Sequence, residues 1–348
     1  MKEIKEDIRE EIVYFYPEGH ADHYERGHPE KPERVEIIKT ALGEYGFWDG
    51  YSKLSAVSID DDLIQSIHSL AYLNLLEMTC RRSGHLDPDT YTTIDSWRLA
   101  RLSAGGAVAI ASSVWEGKSR RGFALTRPPG HHAMRGQGMG FCLLNNIAIA
   151  AEYLIRKFQV ERLAIIDLDL HHGNGTQEIF WARDDVFYVS THQSPFYPGT
   201  GGVDDIGSGS GKGWTANFPL LPGSGDVAFM TIMDELILPL LDQKQPQMLL
   251  VSYGYDPHWL DPLGHLLLTG KGYGKLVNKL CNWADQNCAG RIALFLEGGY
   301  DLKAGKICSL AVTSAMLGNE FDDPYPCPYQ ENENWRSMVQ EAHFIWRL

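Results

Sequence analysis

Residues 162–175, RLAIIDLDLHHGNG, decide how the fold is read. A near-continuous apolar run (162–169) passes directly into Asp, His, Gly and Asn, as a strand buried on both faces does where it ends at a functional loop. Four more runs repeat this arrangement. GFALTR (122–127) leads into RPPGHH (127–132), and VFYVSTH (186–192) into QSPFYPGTGG (193–202). MLLVSYGYD (248–256) leads into YDPHWLDPLGH (255–265), and RIALFLEGG (291–299) into EGGY (297–300). Helical periodicity covers 96–117, 145–158, 226–242 and 271–288 between them. Strand and helix in alternation predict an α/β fold with a mostly parallel sheet covered on both faces. Ligands bind beyond the carboxyl ends of such strands, so five strands deliver His, Asp and Tyr to one rim.

No Pro/Ser-rich linker, charge block or repeat divides the 348 residues, so a single domain over 1–348 is expected. Residues 1–11 are expected as a flexible or helical arm and 318–348 as a C-terminal extension. Asp and Glu number 45 against 31 Lys and Arg, a net charge of -14, which excludes direct binding of a nucleic-acid backbone and suits a cationic substrate. The pairs Arg81-Arg82 and Arg120-Arg121 read as solvated surface. MKEIKEDIREE at the N-terminus lacks the apolar core of a secretory signal, and no run approaches about 18 apolar residues. A cytoplasmic protein that does not enter a membrane is therefore expected. Cys80, Cys142, Cys281, Cys288, Cys308 and Cys327 form no C-x-x-C pair and read as reduced thiols.

The rim residues are suited to hydrolysis. Asp169 and His171, spaced D-x-H at a strand end, point the same way, and Asp261 can complete a metal trio from another loop. Two carboxylates and an imidazole nearly neutralise a divalent ion, leaving it able to polarise a carbonyl and to acidify water toward a pKa of about 7. His131 and His132, behind the rigid Pro128-Pro129-Gly130 turn, can serve as general base and acid. Asp167 can orient His131 by a charge-assisted hydrogen bond, and Asn174 can orient His132 without adding charge. The Tyr300 phenol can donate to the oxyanion that develops on an acyl carbon.

Six ordered segments resemble the histone deacetylase family: RPPGHH (127–132), GFCLLNN (140–146), DLDLHHGNGTQ (167–177), FYPGTGG (196–202), DPLG (261–264) and LEGGY (296–300). The resemblance runs from about His20 to Leu317. It implies a three-layer α/β/α arginase/deacetylase fold around a central, mostly parallel eight-stranded sheet. It also implies amide hydrolysis with one zinc ion (Zn2+), or iron (Fe2+) in some members, bound by Asp169, His171 and Asp261. His131 and His132 would be base and acid, and Tyr300 would polarise the carbonyl. Gly140, Phe141 and Phe196 would line a narrow tunnel for the lysine methylenes, with Leu263 where a polyamine-selective branch carries glutamate. Arg34, in HPEKPERV (28–35), matches the arginine of the inner channel that releases acetate. A structural potassium ion (K+) is implied near Asp167, Asp169, His171, Ser190 and Thr191.

HHGNGTQ and DPLG are similar to class II members and their bacterial amidohydrolase homologues. The expected activity is removal of an acyl group from N-ε-acyl-lysine in a protein or peptide. The alternatives are an amidohydrolase of acetylated polyamines or other small acylated amines, and a catalytically silent acyl-lysine binder. An arginase-like two-manganese centre would need a richer ligand set. Homo-oligomers remain open. Two regions depart from the family pattern: SYGYDPHWLDPLGH (252–265) has bulky Tyr253, Pro257 and Trp259, and the rim loops 14–33 and 82–94 offer just Asp87 as a candidate for gripping the substrate backbone.

Overall fold

The computed structural model describes residues 10–348. Its strands are β1 (Glu10–Phe15), β2 (Lys53–Leu54), β3 (His85–Asp87), β4 (Thr90–Tyr91), β5 (Ser119–Ala124), β6 (Leu163–Asp167), β7 (Val186–Gln193), β8 (Thr215–Leu220), β9 (Leu249–Tyr253) and β10 (Ile292–Leu296). Eight of them form one sheet in the order β2-β1-β5-β10-β9-β6-β7-β8, with every neighbouring pair parallel. Strands β3 and β4 form a separate antiparallel hairpin. The five runs read from the sequence are β5, β6, β7, β9 and β10, which lie next to one another.

Strands β1, β2 and β8 carry weaker signals. Strand β1 opens with two glutamates, β2 has two residues, and Pro219 stands in β8 at the sheet edge. Glu10 and Glu11 correct the expectation of a loose or helical arm, because they begin β1, where Glu10 pairs with Ser119. The remainder of that arm lies outside the described residues.

Side chains alternate between two cores. Ala164, Ile166, Leu249 and Val251 face one helical layer, whereas Leu163, Ile165 and Leu250 face the other. Tyr253 belongs to the first core, edge-on to Phe123 and Tyr273 with ring centroids 5.6 Å away in each case. This bulky departure is thus absorbed by packing and does not crowd the rim.

Helices read at 96–117, 145–158 and 271–288 span Ser96–Trp115, Asn146–Phe158 and Gly270–Asn287. The helix read at 226–242 reaches Lys244 through a π-helical turn at Met233–Ile237. Pro239 has no N–H to return to the preceding turn, and the wider turn takes up the mismatch. Residues 318–348 return to the domain. Met338, Val339 and Ala342 enter the first core, and the Glu331 carboxylate accepts the N–H groups of Val227 and Ala228 at 2.8 and 2.7 Å.

Parallel register brings the strand ends level. Asp167 stands opposite both Ser190 and Ser252, and Leu296 opposite Tyr253. The chain runs from β5 across to β6 and only later inserts β9 and β10 between them, which opens a crevice at that rim.

Candidate active site

Each predicted side chain on the central strands arrives at this rim. His131 Nδ1 lies 3.1 Å from Asp167 Oδ2, and His132 Nδ1 lies 2.8 Å from Asn174 Oδ1. The two imidazole centroids are 4.0 Å apart, and His132 is 5.8 Å from His171. The site is held largely by backbone groups. Asp169 accepts the N–H groups of His171 (2.9 Å) and Gly298 (2.8 Å), while Asp261 accepts those of Leu263 (3.0 Å), Tyr300 (2.6 Å) and Asp301 (3.1 Å). Gly254 and Gly298 permit this closeness: a Cβ there would lie 2.0 Å from Asp169 Oδ2 and 2.3 Å from Asp256 Oδ2, respectively.

Two groups among the described residues have ligand atoms within 4.8 Å of one another, His131 with Cys142 and Glu297, and Asp169 with His171 and Asp256; the second is the one at the predicted D-x-H pair. Asp256 was not singled out from the sequence, although it lies within the quoted YDPHWLD segment. Its Oδ2 is 3.2 Å from His171 Nδ1 yet has no hydrogen-bond partner among the described residues. Asp261 lies beside this group with its carboxylate already engaged by three N–H donors.

Buried like charges are visible in the proton affinities. Burial disfavours charge on His131, but Asp169 and Asp167 outweigh it and hold the imidazole up at about 10. His171 is likewise raised to about 9 against its burial, by Asp169 and Asp256. Burial, together with Asp256, pushes Asp261 up to about 7. His132 goes the other way, well below its usual range, through burial and the neighbouring His131 and His171. An excess of carboxylate with one partnerless buried oxygen fits a bound cation, and a donor set of O and N atoms fits Zn2+ or Fe2+.

Aromatic rings wall the approach. Phe196 stacks on His171 at 5.5 Å, and Phe141 meets the Tyr300 ring edge-on at 5.7 Å. Phe141 holds a left-handed backbone (φ 70°), which costs a non-glycine residue about 1–2 kcal/mol, and its N–H is fixed by Thr90 Oγ1 at 3.1 Å. A Cβ at Gly140 would come within 2.4 Å of His132 Cδ2. Tyr197, quoted in the FYPGTGG segment but given no role, stands edge-on to His132 at 5.2 Å and remains 41% exposed at the mouth. Leu263 is half-buried beside Asp261. Asp87, also half-buried, ends β3 and accepts the N–H of Asp89.

Behind Tyr300, the wholly buried Arg34 donates to the carbonyls of Gly299 and Glu297 and to Glu30 Oε1, its guanidinium 5.0 Å from the Tyr300 ring. Thr191 Oγ1 donates to the Asp167 carbonyl at 3.4 Å, and Ser190 Oγ lies 2.9 Å from His192 Nδ1.

A model of the histone deacetylase domain matches residues 28–316. The chain belongs to the histone deacetylase family. It is 40% identical to a probable deacetylase of Archaeoglobus fulgidus, over 84% of this chain and 82% of that one. Chloroplastic histone deacetylase 14 of Arabidopsis thaliana is 36% identical over 93% of this chain and 82% of its own length. The histone deacetylase-like amidohydrolase of Pseudomonas aeruginosa is 37% identical over 84% and 77%. A crystal structure of the HDA15 HD domain superposes with a TM-score of 0.89 at 32% identity, covering 97% of this chain and 94% of that one. Membership in this family of hydrolases makes the arrangement above an arginase/deacetylase fold. No helix of the described residues is long and apolar enough to cross a membrane.

Proposed function

We propose that this member of the histone deacetylase family removes the acyl group from N-ε-acyl-lysine in a protein or peptide. The carrying observation is the juxtaposition of two differently partnered imidazoles, a carboxylate cluster and the Tyr300 phenol at the end of an aromatic-walled approach. Asp169, His171 and Asp261 would hold the cation, Zn2+ or Fe2+, with Asp256 competing for the third place. When bound, it supplies Lewis acidity to the acyl carbonyl and to water.

The protein groups do the rest. The Tyr300 hydroxyl donates to the carbonyl oxygen as negative charge develops there. We reverse the order that the resemblance implies, His131 as base and His132 as acid: His132, kept neutral by burial and its neighbours, accepts the proton of the attacking water. His131, held cationic by Asp167 and Asp169, donates to the departing amine. Phe141, Phe196 and Gly140 confine the alkyl chain, with Leu263 and Asp87 toward the mouth. Arg34 lines the route for the carboxylate product. A K+ site near Asp167, Asp169, His171, Ser190 and Thr191 would brace the ends of β6 and β7. The alternative substrate class is acetylated polyamines or other small acylated amines.

The test is turnover on acyl-lysine peptides and acetylated polyamines, before and after chelation and after Zn2+ or Fe2+ is restored. Peptide cleavage that chelation abolishes and metal restores is expected. Tyr300→Phe should lower kcat about a hundred- to a thousandfold. Unchanged turnover in the chelated protein would overturn the reading.

A further inference from the structure

Glu297 of the LEGGY segment received no role from the sequence. It is wholly buried just beyond β10, three residues before Tyr300. Its Oε2 accepts two consecutive backbone N–H groups, Gly130 at 2.6 Å and His131 at 3.0 Å, and Oε1 lies 3.3 Å from Ser252 Oγ. Two amides converging on one oxygen fix the turn from which His131 and His132 project, and they supply the hydrogen bonds that a buried carboxylate needs. The other side of the turn is packed hard: a Cβ at Gly130 would lie 2.6 Å from Asn146 N and 2.7 Å from the Leu144 carbonyl oxygen. The turn is thus clamped between the Glu297 carboxylate and the Leu144–Asn146 backbone. The Glu297 carbonyl also accepts from Arg34, which packs behind the Tyr300 ring.

We propose that Glu297 is a positioning residue that sets the imidazole pair against the Tyr300 hydroxyl by holding the Gly130–His131 turn. The inference rests on the catalytic roles proposed above for His131, His132 and Tyr300. It assigns Glu297 an effect on kcat and not on KM, because other groups hold the aromatic walls: Thr90 fixes Phe141, and Phe196 rests on His171.

The test compares Glu297→Gln with Glu297→Asp on the metal-loaded protein. Gln keeps an oxygen at the same reach that can accept both N–H groups, whereas Asp is one methylene shorter. A misplacement of about 1 Å costs about a hundredfold. Glu297→Gln should hold kcat within about fivefold of the wild type, while Glu297→Asp should lower it about a hundredfold with KM within about threefold. Amide hydrogen exchange at Gly130 and His131 should stay slow in the Gln variant and speed up in the Asp variant, at equal metal content. Equal effects of the two substitutions, or a KM that moves in step with kcat, would overturn the inference. His132→Ala and Tyr300→Phe separate it from its foundation. If they leave turnover intact, the proposed chemistry fails and the inference with it; if they abolish turnover while Glu297→Asp does not slow it, the inference alone falls.

Discussion

Two buried charge clusters lie back to back across Tyr300, and they are satisfied in opposite ways. On one side Glu30 accepts Arg34 at 3.0 Å and Arg127 at 2.7 and 2.9 Å, and the remaining guanidinium groups reach the carbonyls of Gly299, Glu297, His20 and His23. Burial would raise the Glu30 carboxyl, but the two arginines outweigh it and hold it down at about 2. On the other side His171 Nδ1 lies 3.2 Å from both Asp169 and Asp256, His131 Nε2 lies 3.8 Å from Asp169, Asp261 accepts backbone N–H groups, and Asp256 Oδ2 has no hydrogen-bond partner among the described residues. The first cluster is completed by fixed dipoles of the fold, so it holds structure together. The second is left short of positive charge, which suits it to a ligand that supplies some.

The largest test of this contrast exchanges one carboxylate in each cluster. Losing about 4 kcal/mol of charge stabilisation corresponds to about a thousandfold in rate, so Asp261→Asn should lower turnover by that factor or more. Its denaturation midpoint should not fall, because burial and the neighbouring Asp256 already penalise the charge on Asp261. Glu30→Gln should instead cost about 3–5 kcal/mol of stability in urea unfolding, since two buried guanidiniums lose their counter-charge. Were Asp261→Asn to unfold the protein and Glu30→Gln to leave it stable, the contrast would be reversed.

A smaller effect sharpens the acidic side. Carboxylates hold His171 protonated up to about 9, so a metal ion must displace a proton below that pH. Metal affinity of the chelator-stripped protein should fall about tenfold per pH unit from 9 to 7, as read by competition with an indicator. A flat dependence would place His171 outside the binding group.

The smallest effect involves a buried group with no counter-charge. His68 accepts the Asn145 N–H at 2.9 Å and lies 2.8 Å from the Met134 carbonyl, and burial lowers it to about 4. The folded protein therefore binds its proton less readily than the unfolded chain, whose imidazole titrates near 6.5. This contribution is whole above pH 6.5 and is lost as pH falls toward 4, at a slope of at most about 1.4 kcal/mol per unit. His68→Gln should flatten the fall in stability between pH 7 and pH 5 by about one proton's worth.

The motifs were legible because their chemistry is local. DLDLHHGNG, RPPGHH and LEGGY each combine a strand end, a turn and reactive side chains within about ten residues, so alternation alone brings Asp167, Asp169 and His171 to one side. Asp256, Glu297 and Tyr197 stood inside quoted segments and went unassigned for a physical reason. Their partners are His171, Gly130 with His131, and His132, between 65 and 167 residues away in the chain. No periodicity reports a contact of that kind. Strands β2 and β8 were missed because a sheet edge demands less apolar character than its centre, and β1, between β2 and β5, because two glutamates open it.

The chain by itself determined the five central strands, their helical cover and the kinds of groups at their ends, since these follow from apolar runs, turn residues and alternation. Tertiary structure alone decided which carboxylate faces His171, which oxygen holds the histidine turn, and where Arg34 puts its charge. Those choices depend on parallel register and on backbone N–H groups brought in from distant strands, and the energy of a buried charge is set by what surrounds it in space.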